Sequence, residues 1–480
     1  MKYAFKRLHA VANVDCFAFT IAGLRLQLQQ MQETTSGQLK EIENLKEEQE
    51  RFRSKATKTK KDSEKAAKND LQLSQLARLY SRESALRRSL HNTLVELKGN
   101  IRVYVRVRPL LPAELKEQMN LSIPISFPEL GITDVCQLLN FKVEGSTLRG
   151  AQIKEFDFDR VFTPLDGQKV VFEEIAPYVA SVLDGYNTCI FCYGATGSGK
   201  THSMIGPDGE PGIFPRAVQA IFKGMAKGKK SKAAAWPAVE VYGSLMEVYN
   251  EQIRDLLVPK DEQAPLELKT SKDGSTVPCG LVKQRMHGVS DALSLLETGA
   301  KNRVTEATKL NIHSSRSHMI LLLQVVVRQG GEKFKGKLYL VDLAGSERLK
   351  RSQSTGERLE ETKQINRSLS ALGDVISALS SNSPHVPYRN SRLTHVLMDC
   401  LCPHAKCVMI ANISPAVEDS TETLNTLNFA TRVKSVELGR AITFQERVGE
   451  VANKKEKVME NWKKAISAAK IQNLASDVNE

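Results

Sequence analysis

The chain has 480 residues, with 68 Lys and Arg against 55 Asp and Glu, a net charge of +13 and a pI near 9.2. An apolar content of 41% excludes a wholly disordered chain. No run approaches the ~18 consecutive apolar residues that a membrane helix needs. The basic surplus points to an acidic partner, whether nucleic acid, an anionic membrane or an acidic protein polymer, and composition does not choose among them. Eight cysteines without a secretory pattern read as reduced cytosolic thiols.

In chain order, residues 1–23 form a segment of uncertain order. They are interrupted by Asp15 and lack a small-residue cleavage site, so they do not read as a signal peptide. Residues 24–98 hold no proline and a single glycine, Gly37, and are rich in good helix formers. Leu76, Leu79, Leu86, Leu90 and Leu97 take heptad positions, with Glu83 and Thr93 as flaws in the seam. Leu39, Ile42, Leu45 and Phe52 make an earlier fragment, and a lysine-rich stretch (Arg53 to Asp70) separates the two. The segment is expected to be a helical neck that forms a partial coiled coil, as a homo- or heterodimer or as a single helix.

From 99 to 440 the pattern changes to short apolar runs punctuated by Gly and Pro. Ile101–Val107, Ala238–Tyr242 and Met319–Val327 read as strands, and Thr188–Tyr193 and Lys337–Val341 as buried strands running into Gly-containing turns. Strands alternating with helical patterns predict an α/β fold with a central mixed, mostly parallel sheet flanked by helices. Residues 441–480 return to charged helix formers.

Gly194-Ala-Thr-Gly-Ser-Gly-Lys-Thr201 follows one of the predicted buried strands and matches the P-loop pattern. Its glycines let several backbone N–H groups turn toward phosphate oxygens, Lys200 reaches the β- and γ-phosphates, and Thr201 offers a hydroxyl to Mg²⁺. Leu338-Tyr-Leu-Val-Asp342 supplies the second strand ending in an acid near the metal. A P-loop alone would suit a kinase, a GTPase, a helicase or a motor.

Three blocks narrow the choice. Gly185 to Thr201 resembles the kinesin motor signature, Asn311-Ile-His-Ser-Ser-Arg-Ser-His318 its switch I, and Asp342-Leu-Ala-Gly-Ser-Glu347 its switch II. Arg106-Val-Arg-Pro109, Glu247-Val-Tyr-Asn-Glu251, Ile365 to Gly373, Val386 to Thr394 and Asn428-Phe-Ala-Thr-Arg432 follow in the family's order. The join from Arg87 to Val103 resembles the neck of the C-terminal-motor kinesins, class fourteen, which are generally minus-end directed.

The resemblance implies a microtubule-stimulated ATPase with ATP and Mg²⁺ in its site, working in the cytoplasm on the microtubule cytoskeleton, the spindle included. Lys200 would stabilise γ-phosphate charge. Thr201 and Ser315 would hold Mg²⁺, with Asp342 acting through a water. Gly345 would bond the γ-phosphate, and Arg316 and Glu347 would form a closing ion pair. The P-loop residues Gly194, Ala195, Thr196, Gly197, Ser198 and Gly199 would cradle phosphates, while Arg106, Arg108, Pro109 and His202 would surround the adenine and ribose. Lys363 and Arg367 on a relay helix over 360–379, with Arg389 and Arg392, would meet acidic tubulin.

Two departures stand out. Ala195 replaces the family's usual Gln, and Cys400-Leu-Cys-Pro-His-Ala-Lys-Cys407 replaces a Gly- and Ser-containing turn. The latter superficially suggests zinc, but its family counterpart is an ordinary loop before a core strand. Cys189 and Cys192 read as core residues. Lys454 to Ile471 is a basic helical pattern on which Trp462, Ile466 and Ile471 could anchor a calmodulin-like light chain. The competing function is a weakly motile or non-motile microtubule crosslinker that uses basic residues 51–68 as a second site. A nucleic-acid ATPase accounts for the charge but not for the switch motifs, so no nucleic-acid partner is expected.

Overall fold

The computed structural model describes residues 2–55, parts of 68–93, and 101–436 apart from short internal stretches, of which 118–123, 128–137, 144–151, 230–237, 271–275, 305–314 and 348–356 are the longest. The basic tail at 454–471, the lysines of 56–67, His404 and the start of switch I lie outside the described residues. The chain divides into two compact units, residues 1–100 with 223–238, and residues 101–222 with 239–480.

In the first unit, α1 runs unbroken from Lys2 to Lys55. The segment expected to be of uncertain order is therefore helical, and no proline intervenes to break it. On α1, Leu28, Met31, Thr35, Gln38, Ile42, Leu45 and Gln49 form a less exposed stripe at spacings of three and four. A second helical stretch occupies 68–93 in pieces. Its Glu83 carboxylate accepts hydrogen bonds from Thr35 Oγ1 at 3.4 Å and Gln38 Nε2 at 3.3 Å, which places it against α1 of the same chain. Leu79 and Leu86, which flank Glu83 on the same heptad face, are 48% and 52% exposed. A polar stripe on α1 tolerates the carboxylate that an all-leucine seam would not.

The second unit is built on a nine-stranded sheet in the order β11-β7-β12-β13-β6-β14-β1-β5, with β8 beside β7. The strands are β1 (Ile101–Val107), β5 (Arg160–Phe162), β6 (Asn187–Tyr193), β7 (Ala238–Tyr249), β8 (Gln252–Asp255), β11 (Gln284–Met286), β12 (His318–Gln329), β13 (Glu332–Asp342) and β14 (Lys406–Ile413). β2 (Ile125–Ser126), β3 (Leu138–Val143) and β4 (Gln152–Asp157) make a small antiparallel sheet, and β9 (Leu268–Thr270) pairs with β10 (Thr276–Pro278). β13, β6, β14, β1 and β5 pair parallel, while β12 joins β13 and β8 and β11 join β7 antiparallel, so the sheet is mixed with a parallel half at the P-loop. β14 is buried at all eight positions, so its run Cys407-Val-Met-Ile-Ala411 is continuous rather than alternating.

The expected strands are all present, most of them longer than the sequence suggested. Ala238–Tyr242 continues to Tyr249, because Glu247 is buried beside a partner rather than ending the strand. The helices of this unit are α2 (Pro112–Glu117), α3 (Gln168–Leu183), α4 (Lys200–Met204), α5 (Ile213–Lys229), α6 (Val289–Val304), α7 (Glu357–Ser380), α8 (Arg392–Val396) and α9 (Ser420–Lys434). Among the described residues no helix is long and apolar enough to cross a membrane.

Candidate nucleotide site

β6 ends at Tyr193 and the loop Gly194–Gly199 leads into α4. β6 is flanked on both sides, with Cys192 opposite Asp342 of β13 and Tyr193 opposite Ala411 of β14. Asp342 and Asn412 therefore emerge level with the loop, where parallel sheets place ligands. Gly194 has φ 152° and a Cβ there would run into the Asn412 carbonyl, so only glycine lets the loop press against β14. Asn412 Nδ2 donates to Gly199 O at 3.2 Å and Ser203 Oγ at 2.7 Å, clamping the loop's far end. The helix after the loop is only five residues long. Its dipole adds little, and the loop amides carry most of the anion attraction.

Lys200 is 7% exposed and donates to the carbonyls of Gly194 at 3.0 Å and Ala195 at 2.8 Å. Because position 195 contributes its carbonyl to this contact, the exchange of Gln for Ala there leaves the bond intact. Burial lowers the Lys200 pKa, opposed by the carboxylates of Asp342 and Glu347. Thr201 Oγ1 donates to Asp342 Oδ2 at 2.6 Å. Burial raises the Asp342 pKa, against the Thr201 hydrogen bond and Lys200. Asp342 Oδ1 is buried with no hydrogen-bond partner among the described residues. A hydroxyl beside a half-satisfied buried carboxylate is the donor set a hydrated Mg²⁺ takes, so the residues fit that ion.

The turn after β13 is held amide by amide. Ala344 N–H donates to His318 Nδ1 at 3.0 Å, Gly345 N–H to Ser315 O at 2.9 Å, and Ser346 N–H to Gly194 O at 3.1 Å. Glu347 reaches across the P-loop. Its Oε2 accepts from Thr196 N–H at 2.8 Å and its Oε1 from Thr196 Oγ1 at 2.6 Å. Arg316 follows Ser315 and is partly buried. Beyond it, Ser317 Oγ donates to Glu247 Oε1 at 2.6 Å, and Arg303 Nε joins the same oxygen at 2.9 Å. The structure thus brings Lys200, Thr201, Asp342, Gly345, Glu347 and Ser315 to one end of the sheet.

Beside the loop lies a cleft of about 220 Å³ lined by Arg106, Arg108, Pro109, Ser198, Gly199 and His202, among others. The expected base-binding residues are together, but the guanidinium N–H groups of both arginines are already engaged. Arg106 Nη1 donates to Gln168 Oε1 and Ser203 Oγ, both at 2.8 Å, and Arg108 Nη1 donates to Glu114 at 2.7 Å. Pro109 and His202 remain exposed as apolar or stacking surface. Lys363, Arg367, Arg389 and Arg392 are all exposed, the first two one turn apart on α7. His395 is held below its usual pKa by burial and by Arg389 and Arg392, which marks a locally positive surface.

Cys189, Cys400 and Cys407 are buried in the core, and no group of His, Cys, Asp or Glu able to hold a metal occurs among the described residues. Sequence reasoning missed Asn412, Gln168 and Glu247. Asn412 carries a visible signal, a lone amide at the end of an otherwise apolar run. Glu247 and Gln168 owe their place to partners distant in sequence, and no local pattern reveals them.

Parallel strands, a glycine loop with a buried lysine, and a threonine bonded to the acid of the adjacent strand define a P-loop nucleoside-triphosphate-binding protein. Within that class the chain belongs to the kinesin motor domain family, which it matches over residues 106–436. It is 44% identical over 372 residues to the kinesin-like protein KIN-14R of Arabidopsis thaliana, covering 77% of this chain and 33% of that protein. The chain therefore spans about a third of that relative's length. Among solved structures it is similar to the C-terminal motor and motor homology domain of Kar3Vik1 fused to a synthetic heterodimeric coiled coil, with TM-score 0.67, 37% identity, and 81% of this chain and 99% of that one covered. A KIF14 dimer in a two-heads-bound state, with AMP-PNP and in complex with a microtubule, is similar at TM-score 0.63 and 35% identity, covering 72% and 95%.

Proposed function

We propose that this chain is an ATP-driven microtubule motor of the class-fourteen kind, hydrolysing ATP with microtubule stimulation and moving toward minus ends. The observation that carries the reading is the bonding of the Asp342–Glu347 turn to both the P-loop and Ser315, which makes the turn sensitive to what fills the phosphate site. In this reading residues 99–440 are the motor, 24–98 the neck and 441–480 a tail.

Lys200 leaves the carbonyls of Gly194 and Ala195 for the β- and γ-phosphates when ATP enters. Thr201 and Ser315 would hold Mg²⁺, with Asp342 reaching it through a water, and the ion would supply neutralisation of phosphate charge. The Gly345 amide exchanges its Ser315 carbonyl for a γ-phosphate oxygen. Glu347 releases Thr196 and pairs with Arg316, which closes the site and orders the attacking water. Loss of phosphate reverses these contacts, and the turn passes the change to α7. Lys363, Arg367, Arg389 and Arg392 attract the acidic microtubule surface.

The exposed Leu79 and Leu86 offer a dimer contact on the neck. The tail at 454–471 is a candidate for a calmodulin-like light chain, and a place on spindle microtubules follows from the same reading. Surface gliding on polarity-marked microtubules tests the function. Minus-end-directed gliding with microtubule-stimulated ATPase supports it. Static bundling without turnover would replace it with the crosslinker reading.

A further inference from the structure

His318 is 2% exposed and sits where β12 begins, between the turn after β13 and α7. Its Nδ1 accepts from the Ala344 amide at 3.0 Å. Its Nε2 lies 2.8 Å from Ser368 Oγ, and the Ser368 hydroxyl donates onward to Ile365 O at 2.7 Å. These bonds fix one direction. An amide can only donate, so Nδ1 carries a lone pair and Nε2 carries the proton. The serine spends its own hydrogen on Ile365 and so receives the one from Nε2. A single tautomer in a single orientation thus joins the backbone of the turn to the first half of α7.

We propose that His318 is a positioning residue that transmits the state of the Asp342–Gly345 turn to α7, by holding the Ala344 amide on one ring nitrogen and the Ser368 hydroxyl on the other. The coupling rests on the motor reading above, which supplies the ATPase cycle it would couple.

Three features make the ring a rigid link rather than a filler. Its two polar neighbours, Ala344 and Ser368, are both buried, at 0% and 3% exposure, so water does not replace a broken bond. The preceding residue, Ser317, is bound to the buried Glu247–Arg303 pair, so the ring pivots on a fixed base. Gly345, next to Ala344, bonds Ser315 O, so a shift of Gly345 toward a phosphate pulls on Ala344 as well. A hydrogen bond weakens steeply within about half an ångström of stretching, so small displacements of the turn are enough to load or release the ring. Burial, with Arg303 and Lys200 nearby and only Glu247 opposing, holds the imidazole neutral, with its pKa down at about 3. The donor–acceptor order therefore persists throughout the working pH range.

The test uses the full chain with Ser368→Ala, His318→Asn and the double variant. Ser368→Ala deletes one hydroxyl and leaves the ring in place. His318→Asn keeps an acceptor near Nδ1 but is too short to reach Ser368. Each is expected to lower the microtubule-stimulated kcat about tenfold. Ser368→Ala is expected to leave basal turnover and the affinity for a fluorescent ATP analogue unchanged. The double variant is expected to be no worse than the poorer single one, since both cut the same link. Thermal unfolding of each variant separates lost coupling from lost fold. If His318→Asn does not fold, Ser368→Ala alone decides. Normal stimulation in Ser368→Ala, or losses that multiply in the double variant, overturn the proposal. A wild-type chain that microtubules fail to stimulate overturns the motor reading, and the coupling with it.

Discussion

The carboxylate of Glu347 caps the P-loop at Thr196, accepting from its amide at 2.8 Å and its hydroxyl at 2.6 Å. An acidic side chain thus holds an N–H group that a phosphate would otherwise use, and on the motor reading turnover would require it to let go. Gly345 lies directly under this contact, and a Cβ added there would collide with Glu347 and the Thr196 hydroxyl. Gly345→Ala is expected to bind nucleotide while losing roughly 100-fold or more in ATPase rate, because the turn cannot close on the γ-phosphate. Steady-state ATPase and nucleotide titration on the same preparation check this. Wild-type turnover would show that the close approach is not needed.

Lys200→Ala removes a side-chain cation buried against the carbonyls of Gly194 and Ala195. The expected loss in kcat is on the order of 100- to 1,000-fold, with little change in the fold. Single-turnover hydrolysis and circular dichroism would separate the two effects.

Arg389→Ala with Arg392→Ala should raise the microtubule concentration for half-maximal ATPase roughly tenfold, and more steeply as salt is lowered. The same change should let the His395 pKa rise, since both arginines help to depress it. Cosedimentation and histidine NMR titration read the two independently. An unchanged half-maximal concentration removes these residues from the microtubule face.

His318 also predicts a pH dependence. Its pKa is about 3 in the fold against an ordinary 6.5. Between those values the unfolded chain binds a proton that the native chain does not, so stability from this group rises with pH and levels off above the ordinary value. Stability should therefore fall as pH drops below about 6.5, and His318→Asn should flatten that fall by one proton. Urea unfolding over a pH series measures it, and identical slopes would contradict a buried neutral ring.

Leu79→Ser with Leu86→Ser tests the neck. The expected outcome is a shift from dimer to monomer in sedimentation, with basal ATPase unchanged.

The phosphate-binding half of the site was readable from the sequence because its residues sit at fixed spacings. A glycine loop, a Lys-Thr pair and a strand ending in Asp342 are local patterns that follow from local chemistry. The base cleft was less legible. Arg106 and Arg108 line it, and their guanidinium groups are committed to Gln168, Ser203 and Glu114, partners supplied by α2, α3 and α4. The neck was legible only in part. Its heptads mark an apolar face but do not say which helix will cover it, and the polar stripe on α1, with Thr35 and Gln38, suits Glu83 better than another leucine does. Glu247 and His318 escaped assignment because their roles lie in contacts with residues 26 to 70 positions away.

The bonding of Ala344, Gly345 and Ser346 to three different places has a logical form. Each amide answers to a separate segment, so the turn adopts one geometry only when His318, Ser315 and Gly194 agree on where it should be. It behaves as a coincidence gate. A ligand that satisfied the P-loop without drawing in Ser315 would leave two of the three inputs unchanged, and α7 would receive no signal. On the motor reading, such a gate would separate occupancy of the pocket from completion of the phosphate shell, so that a bound diphosphate and a bound triphosphate would give α7 different instructions.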